Sequence, residues 1–84
     1  MTAARGELVD ALAERIGTSP LTAGEIESVL TLAGVVAHGT GDRTTAPLAS
    51  FLAGIAAANA PDRVATLDEI RRYAAELAPP PEAG

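Results

Sequence analysis

Residues of the types that do chemistry are concentrated in one short stretch. Residues 37 to 54 read AHGTGDRTTAPLASFLAG and hold the only histidine of the chain, His38, followed by two glycines, Asp42, Arg43, Thr44 and Thr45. Imidazole is the side chain whose ordinary pKa lies nearest neutrality, which makes His38 the one candidate general acid or base. It stands alone: there is no second His and no Cys to give metal-ligand spacing, and no nucleophile paired with an orienting carboxylate in its vicinity. A histidine in the last turn of a helix is also favoured by the negative end of the helix dipole, and that reading fits better than catalysis. No catalytic residue, metal ligand or cofactor is assigned.

The same stretch suggests a second chemistry. Glycines let backbone N–H groups converge, Arg43 offers a fork of donors, and a helix start adds positive potential, so His38, Arg43, Thr44 and Thr45 are candidate ligands for an anion. The stretch lacks the lysine and the preceding strand of a P-loop, and it is not GxGxxG. The plainer alternative is that Gly39 and Gly41 turn the chain, Asp42 and Arg43 pair or face water, and Thr45 caps the next helix.

Composition narrows what surrounds these residues. Eighty-four residues suffice for one domain. With no cysteine, disulfides, thiolate metal sites and thiol nucleophiles are all excluded, and a cytoplasmic location is expected. The formal net charge is -5, and every basic residue is arginine. Such a chain repels a phosphate backbone, and one Tyr with one Phe builds no base-stacking platform, so nucleic acid is not an expected partner. Nor is a membrane: the longest uncharged stretch, PLASFLAGIAAANA, is alanine-rich and shorter than the roughly 20 apolar residues of a spanning helix. Glu7, Asp10 and Glu14 fall where a signal peptide needs its apolar centre, so a soluble, unprocessed chain is expected.

Apolar spacing then lays out four helices. Residues 5 to 16 place Leu8, Val9, Leu12 and Ile16 on one face and Glu7, Asp10 and Glu14 on the other, ending at Gly17. Thr22 and Glu25 form a capping box for the second helix, with Leu21 and Ile26 placed as a hydrophobic staple. Its stripe of Ile26, Val29, Leu30, Ala33 and Val36 is widened by Leu32 and Val35, and it is expected to end near His38. The third begins at Thr45 or Ala46 with Pro47 in its first turn. It carries one large apolar face, Leu48, Phe51, Leu52 and Ile55, and one small face, Ser50, Gly54 and Ala58. A second TxxE box at Thr66 and Glu69 opens the fourth, with Leu67, Ile70, Tyr73, Ala74 and Leu77 inward and Asp68, Arg71, Arg72 and Glu76 in solvent. The expected fold is all-α, a compact bundle of four short helices over residues 1–78, with a disordered Pro-rich tail at 79–84.

One absence is informative. No formally charged side chain lies between Glu27 and Asp42, or between Arg43 and Asp62, so the second and third helices lack the residues that mark a solvated face. Two flanking helices cover only part of such a surface. Leu32, Val35, Ser50, Gly54 and Ala58 are therefore candidates for an interaction face, where the small SxxxGxxxA row admits close approach of another helix; internal packing of that row is the alternative.

The stretch LTLAGVVAHGTGDRTTAPLASFLAG resembles the core of a small uncharacterised helical family from GC-rich bacteria, whose members run close to DLARxVAHxxxRPAAPLTTFLxG. Val36, Ala37, His38, Arg43, Ala46, Pro47, Leu48, Phe51, Leu52 and Gly54 fall on that pattern. The family occurs free-standing and as a C-terminal appendage of molybdenum cofactor guanylyltransferase-like proteins. The resemblance implies a link to molybdenum cofactor biosynthesis or molybdoenzyme maturation, and it carries no catalytic residues to transfer. The LxGGxSxRMG type of loop that guanylyl transfer needs is absent from the chain. The expected function is that of a non-catalytic accessory domain that binds a protein partner or a second copy through its second and third helices. The alternative is a binder of a small phosphate-bearing ligand, such as a pterin intermediate, at residues 38–45.

Overall fold

A computed structural model of the chain describes residues 5–80; Met1 to Arg5 is thus covered only at its last residue, and of the expected tail, residues 81–84 lie outside the described residues. Four helices and no strand occur among the described residues: α1 (Arg5–Ile16), α2 (Ala23–Thr40), α3 (Thr45–Ala57) and α4 (Arg63–Leu77). The fold is all-α, as the apolar periodicity implies.

The ends of the helices have local causes. Gly17 closes α1 with φ 82°, a left-handed conformation that glycine adopts without cost, and the Thr18 N–H returns to the Ala13 carbonyl at 2.9 Å. The capping box of α2 is complete: Glu25 N–H donates to Thr22 Oγ1 at 3.1 Å and Thr22 N–H donates to Glu25 Oε1 at 2.8 Å. At its other end α2 runs through Thr40, two residues beyond the expected stop at His38. Gly41, at φ 69°, is the terminator, with its N–H on the Ala37 carbonyl at 2.9 Å. α4 starts earlier than the TxxE spacing suggests, because Asp62 caps it through a 3.1 Å bond from Ala65 N–H. Thr66 and Glu69 consequently lie inside the helix and cap nothing.

Gly39 therefore does not turn the chain. It is a helical residue at a close crossing: a Cβ at this position would lie 2.7 Å from both the carbonyl carbon and the Cβ of Ala78, at the end of α4. Only a glycine lets the last turn of α2 come this near to the other chain segment.

α2 is the hub of the packing and contacts both α3 and α4, which also meet each other. The buried cluster is Leu32, Val36, Ala53, Ala57 and Leu67, with Val29, Ala49, Ile70 and Ala74 packed against it. Leu32 is the one large side chain completely closed to solvent. Its expected place on an outward interaction face is thus corrected: the 29–32–36 row of α2, rather than the row through Leu30 and Ala33, points at the neighbouring helices, and Leu30 is exposed. α2 and α4 are also joined by a polar bond, Ser28 Oγ donating to Asp68 Oδ1 at 3.0 Å, so Asp68 is not a free solvent residue. On α4, Leu67, Ile70 and Ala74 face the core as expected, whereas Tyr73 and Leu77 are exposed.

α3 meets the core with its alanines. Ala53 and Ala57 are buried and Ala49 packs beside them, while Leu48, Phe51, Leu52 and Ile55 point outward, each between 59% and 71% exposed. α1 stands apart: none of its Cα atoms comes within 8 Å of a Cα of another helix. Leu8, Leu12 and Ile16 on its apolar stripe are exposed, although Ala13 is buried. The shortest dimension of the molecule is 18 Å, about that of two layers of helices packed at about 8–10 Å.

The close crossing and the turn at the end of α2 are separable by mutation. Gly39→Ala is expected to lower stability by about 1–3 kcal/mol, as overpacking does, despite the better helix propensity of alanine. Gly41→Ala is expected to cost about 1–2 kcal/mol for its left-handed conformation. Thermal or urea unfolding of both variants checks this; a stabilised Gly39→Ala protein would refute the close crossing.

Candidate functional site

Three places could engage another molecule, and each follows from how the helices end or pack. The first is the α2–α3 connection. His38 lies exposed in the last turn of α2, Arg43 and Thr44 are exposed in the loop, and Thr45 is half-buried at the start of α3. The loop supplies its own anion: the Asp42 carboxylate accepts from Thr44 N–H at 2.9 Å and from Thr44 Oγ1 at 2.7 Å. These bonds, the side-chain one foremost, hold the Asp42 carboxyl below the usual carboxylate range. Thr45 N–H is taken by the Asp42 carbonyl and Ala46 N–H by the Arg43 carbonyl, and Pro47 has no N–H. The backbone N–H groups of Thr44, Thr45 and Ala46 and the Thr44 hydroxyl are therefore occupied, and a phosphate approaching the Arg43 side chain would face the charge of Asp42. Thr45 makes no cap, nor does Thr44. Arg43 forms no ion pair with Asp42.

The second place is a groove of about 500 Å³ where the 18–21 linker, α2, the second half of α3 and the start of α4 converge. Val29, Ala57 and Leu67 give it an apolar floor, and Gly54 and Ala58 form its α3 wall. Glu25 and Arg63 border it, joined by an ion pair at 3.5 Å. Glu25 is buried while Arg63 is about half exposed, so the pair is worth at most about 1 kcal/mol. The Glu25 carboxylate serves chiefly as the acceptor of the capping box.

The third is the outward face of α3. Leu48, Phe51, Leu52 and Ile55 form two i,i+4 rows uninterrupted by any charge, and the surface continues over Ala58 and Gly54 into the groove. A Cβ added at Gly54 meets nothing within 4 Å, so the small row is open, as an interaction face requires. Of the other candidates for that face, Ser50 and Val35 are half-buried and Leu32 belongs to the core. The structure thus separates the sequence's single proposed face into an open part on α3 and a closed part on α2. The large row of α3 is visible in the sequence; that a third row, Ala49, Ala53 and Ala57, turns inward depends on packing that the sequence pattern does not resolve.

Among the described residues no group of three or more His, Cys, Asp or Glu side chains could hold a metal ion. No helix among them is long and apolar enough to cross a membrane. An exposed hydrogen bond from the Tyr73 hydroxyl to Glu69 raises the Tyr73 pKa above its ordinary value, mainly through that bond, on the surface of α4.

A family model described as a domain of unknown function, DUF6457, covers residues 2–82. The chain belongs to this family. No curated protein and no solved structure matches it. Membership agrees with the resemblance to an uncharacterised helical family, and the match extends across both the detached α1 and the packed α2–α4 unit, so both are parts of the family's domain.

The occupied donors of the α2–α3 loop predict that inorganic phosphate and nucleotides leave the thermal unfolding midpoint unchanged. A rise in midpoint that disappears in Arg43→Ala would restore the anion site.

Proposed function

We propose that the chain is a non-catalytic interaction domain that docks through the outward face of α3. The observation that carries this reading is the direction of α3: four large apolar side chains are left in water while alanines fill the core. A monomer has a strong reason to bury such a row, because each Leu, Ile or Phe removed from water contributes about 1.5–3 kcal/mol. A contiguous uncharged patch of this kind marks interaction sites far more often than bare surface. The groove beside it, with Gly54 and Ala58 on its wall, gives an approaching helix a place to settle closely. No set of nucleophile, base and orienting group accompanies this surface, which is why binding is proposed in place of catalysis.

The biological setting is proposed from the sequence resemblance: molybdenum cofactor biosynthesis or molybdoenzyme maturation, with the domain acting as an accessory. A small phosphate-bearing ligand at residues 38–45 is the weaker alternative, because Asp42 takes both donors of Thr44 and sets a negative charge in the loop.

Affinity purification of the tagged protein from its native cells tests the reading, with Phe51→Glu as the control. Phe51 is exposed, so the variant is expected to keep its helicity. Capture of a molybdoenzyme or cofactor-assembly protein by the parent and its loss with Phe51→Glu are the expected result. Association that is the same in parent and variant would refute docking through α3.

A further inference from the structure

We infer that the outward face of α3 is covered by α1 of a second copy of this chain, in a reciprocal two-fold dimer. The inference rests on the reading of α3 as a docking face and names its occupant. The chain has two unpartnered apolar surfaces, and they match. On α1, Leu8, Leu12 and Ile16 form an i,i+4,i+8 ridge, exposed over its length, on a helix that approaches no other helix of its own chain. On α3, Leu48 with Leu52 and Phe51 with Ile55 form two parallel i,i+4 ridges with a groove between them. Ridges of this spacing interdigitate in the commonest mode of helix packing. Their lengths agree as well: at 1.5 Å per residue, the α1 ridge spans about 12 Å and the α3 patch from Leu48 to Ile55 about 10 Å.

Charge is compatible with this pairing. Glu7, Asp10 and Glu14 lie on the side of α1 away from Leu8 and Leu12, and α3 contains no charged residue; Arg5 and Arg15 flank the α1 ridge, where a long arginine stem lies along an apolar contact with its head group in water. The linker supports it too. Thr18, Ser19 and Leu21 border the groove whose wall is Gly54 and Ala58, so α1 departs from the molecule beside α3.

Two-fold symmetry removes both bare surfaces in one step. In an isologous dimer each copy gives one α1 ridge and receives one on α3, with nothing left over. An α3–α3 dimer, or a foreign protein on α3, would leave the α1 ridge in water. The area is adequate: at roughly 100 Å² for each exposed Leu, Ile or Phe, the two reciprocal contacts bury about 1,400 Å², within the range of specific interfaces.

Sedimentation equilibrium of the full chain tests this, using Leu12→Glu, Phe51→Glu and their equimolar mixture. Both positions are exposed, and circular dichroism verifies that each variant keeps its helices. The parent is expected at twice the 8.4 kDa chain mass. Each variant is expected to dissociate about 100-fold more readily or worse, because either change places a carboxylate in both reciprocal contacts. Mixing the two restores one intact contact, that between the unaltered α1 of the Phe51→Glu chain and the unaltered α3 of the Leu12→Glu chain. A mixed dimer should therefore form where neither variant alone does. A parent that stays at the single-chain mass at its highest soluble concentration, or a Leu12→Glu protein that dimerises like the parent, overturns the inference. If the parent is a single chain yet Phe51→Glu abolishes partner capture, docking through α3 stands and only its occupant is wrong.

Discussion

The close approach of α3 to α2 and α4 is the constraint on which the rest of the molecule depends. Leu32 is closed from solvent because Ala53 and Ala57, side chains of one carbon, let the backbone of α3 come near enough to seal it. Protein interiors are packed at crystal-like density, so the site that accepts alanines has no room for leucines in the same register. A helix carrying alanines at 49, 53 and 57 and large residues at 48, 51, 52 and 55 must then turn its large row outward. The exposed surface of α3 is a consequence of how the core is built.

Close approach recurs elsewhere in the fold. Gly39 permits the crossing of α2 with the segment after α4, and small or short polar residues such as Ser28 bring α2 and α4 within hydrogen-bonding distance. A core with Leu32, Val36 and Leu67 as its large buried side chains is small, and small domains bury a limited share of their surface. Of the eleven exposed large hydrophobic side chains among the described residues, seven lie on α1 and α3. Assembly is the ordinary means by which a chain of this size buries such residues, and burial of α1 on a second copy would add to stability through concentration.

Much of this architecture was legible in the residues. Four helices, the Thr22–Glu25 box and the stop at Gly17 follow from local signals that need no knowledge of the partner helix. The uncharged character of α2 and α3 is readable because charge is a property of sequence alone, and on α3 it goes with a large apolar row left exposed. The failures share one origin. Apolar spacing identifies faces but does not say which one meets the core, so it leaves Leu32 on an outward face when its row with Val29 and Val36 lies within. Tyr73 and Leu77 fit the inward stripe of α4 by spacing, yet that helix is covered only along Leu67, Ile70 and Ala74. The glycines and Arg43 suggested an anion loop, and the competing ligand was the adjacent Asp42, whose hydrogen bonds to Thr44 are a matter of local geometry. Gly39 reads locally as a turn residue, whereas its contact is with Ala78, far away in sequence.

The orientation of α3 is the central claim, and the absence of cysteine from the chain makes it directly measurable. Single cysteines at positions 53 and 51 can be labelled with a thiol reagent over a range of protein concentrations. The structure predicts that Ala53→Cys is protected at every concentration, and that Phe51→Cys labels like an unfolded peptide once the protein is dilute. An unprotected Ala53→Cys beside a Phe51→Cys that stays protected on dilution would mean that α3 faces the other way, and would contradict the account.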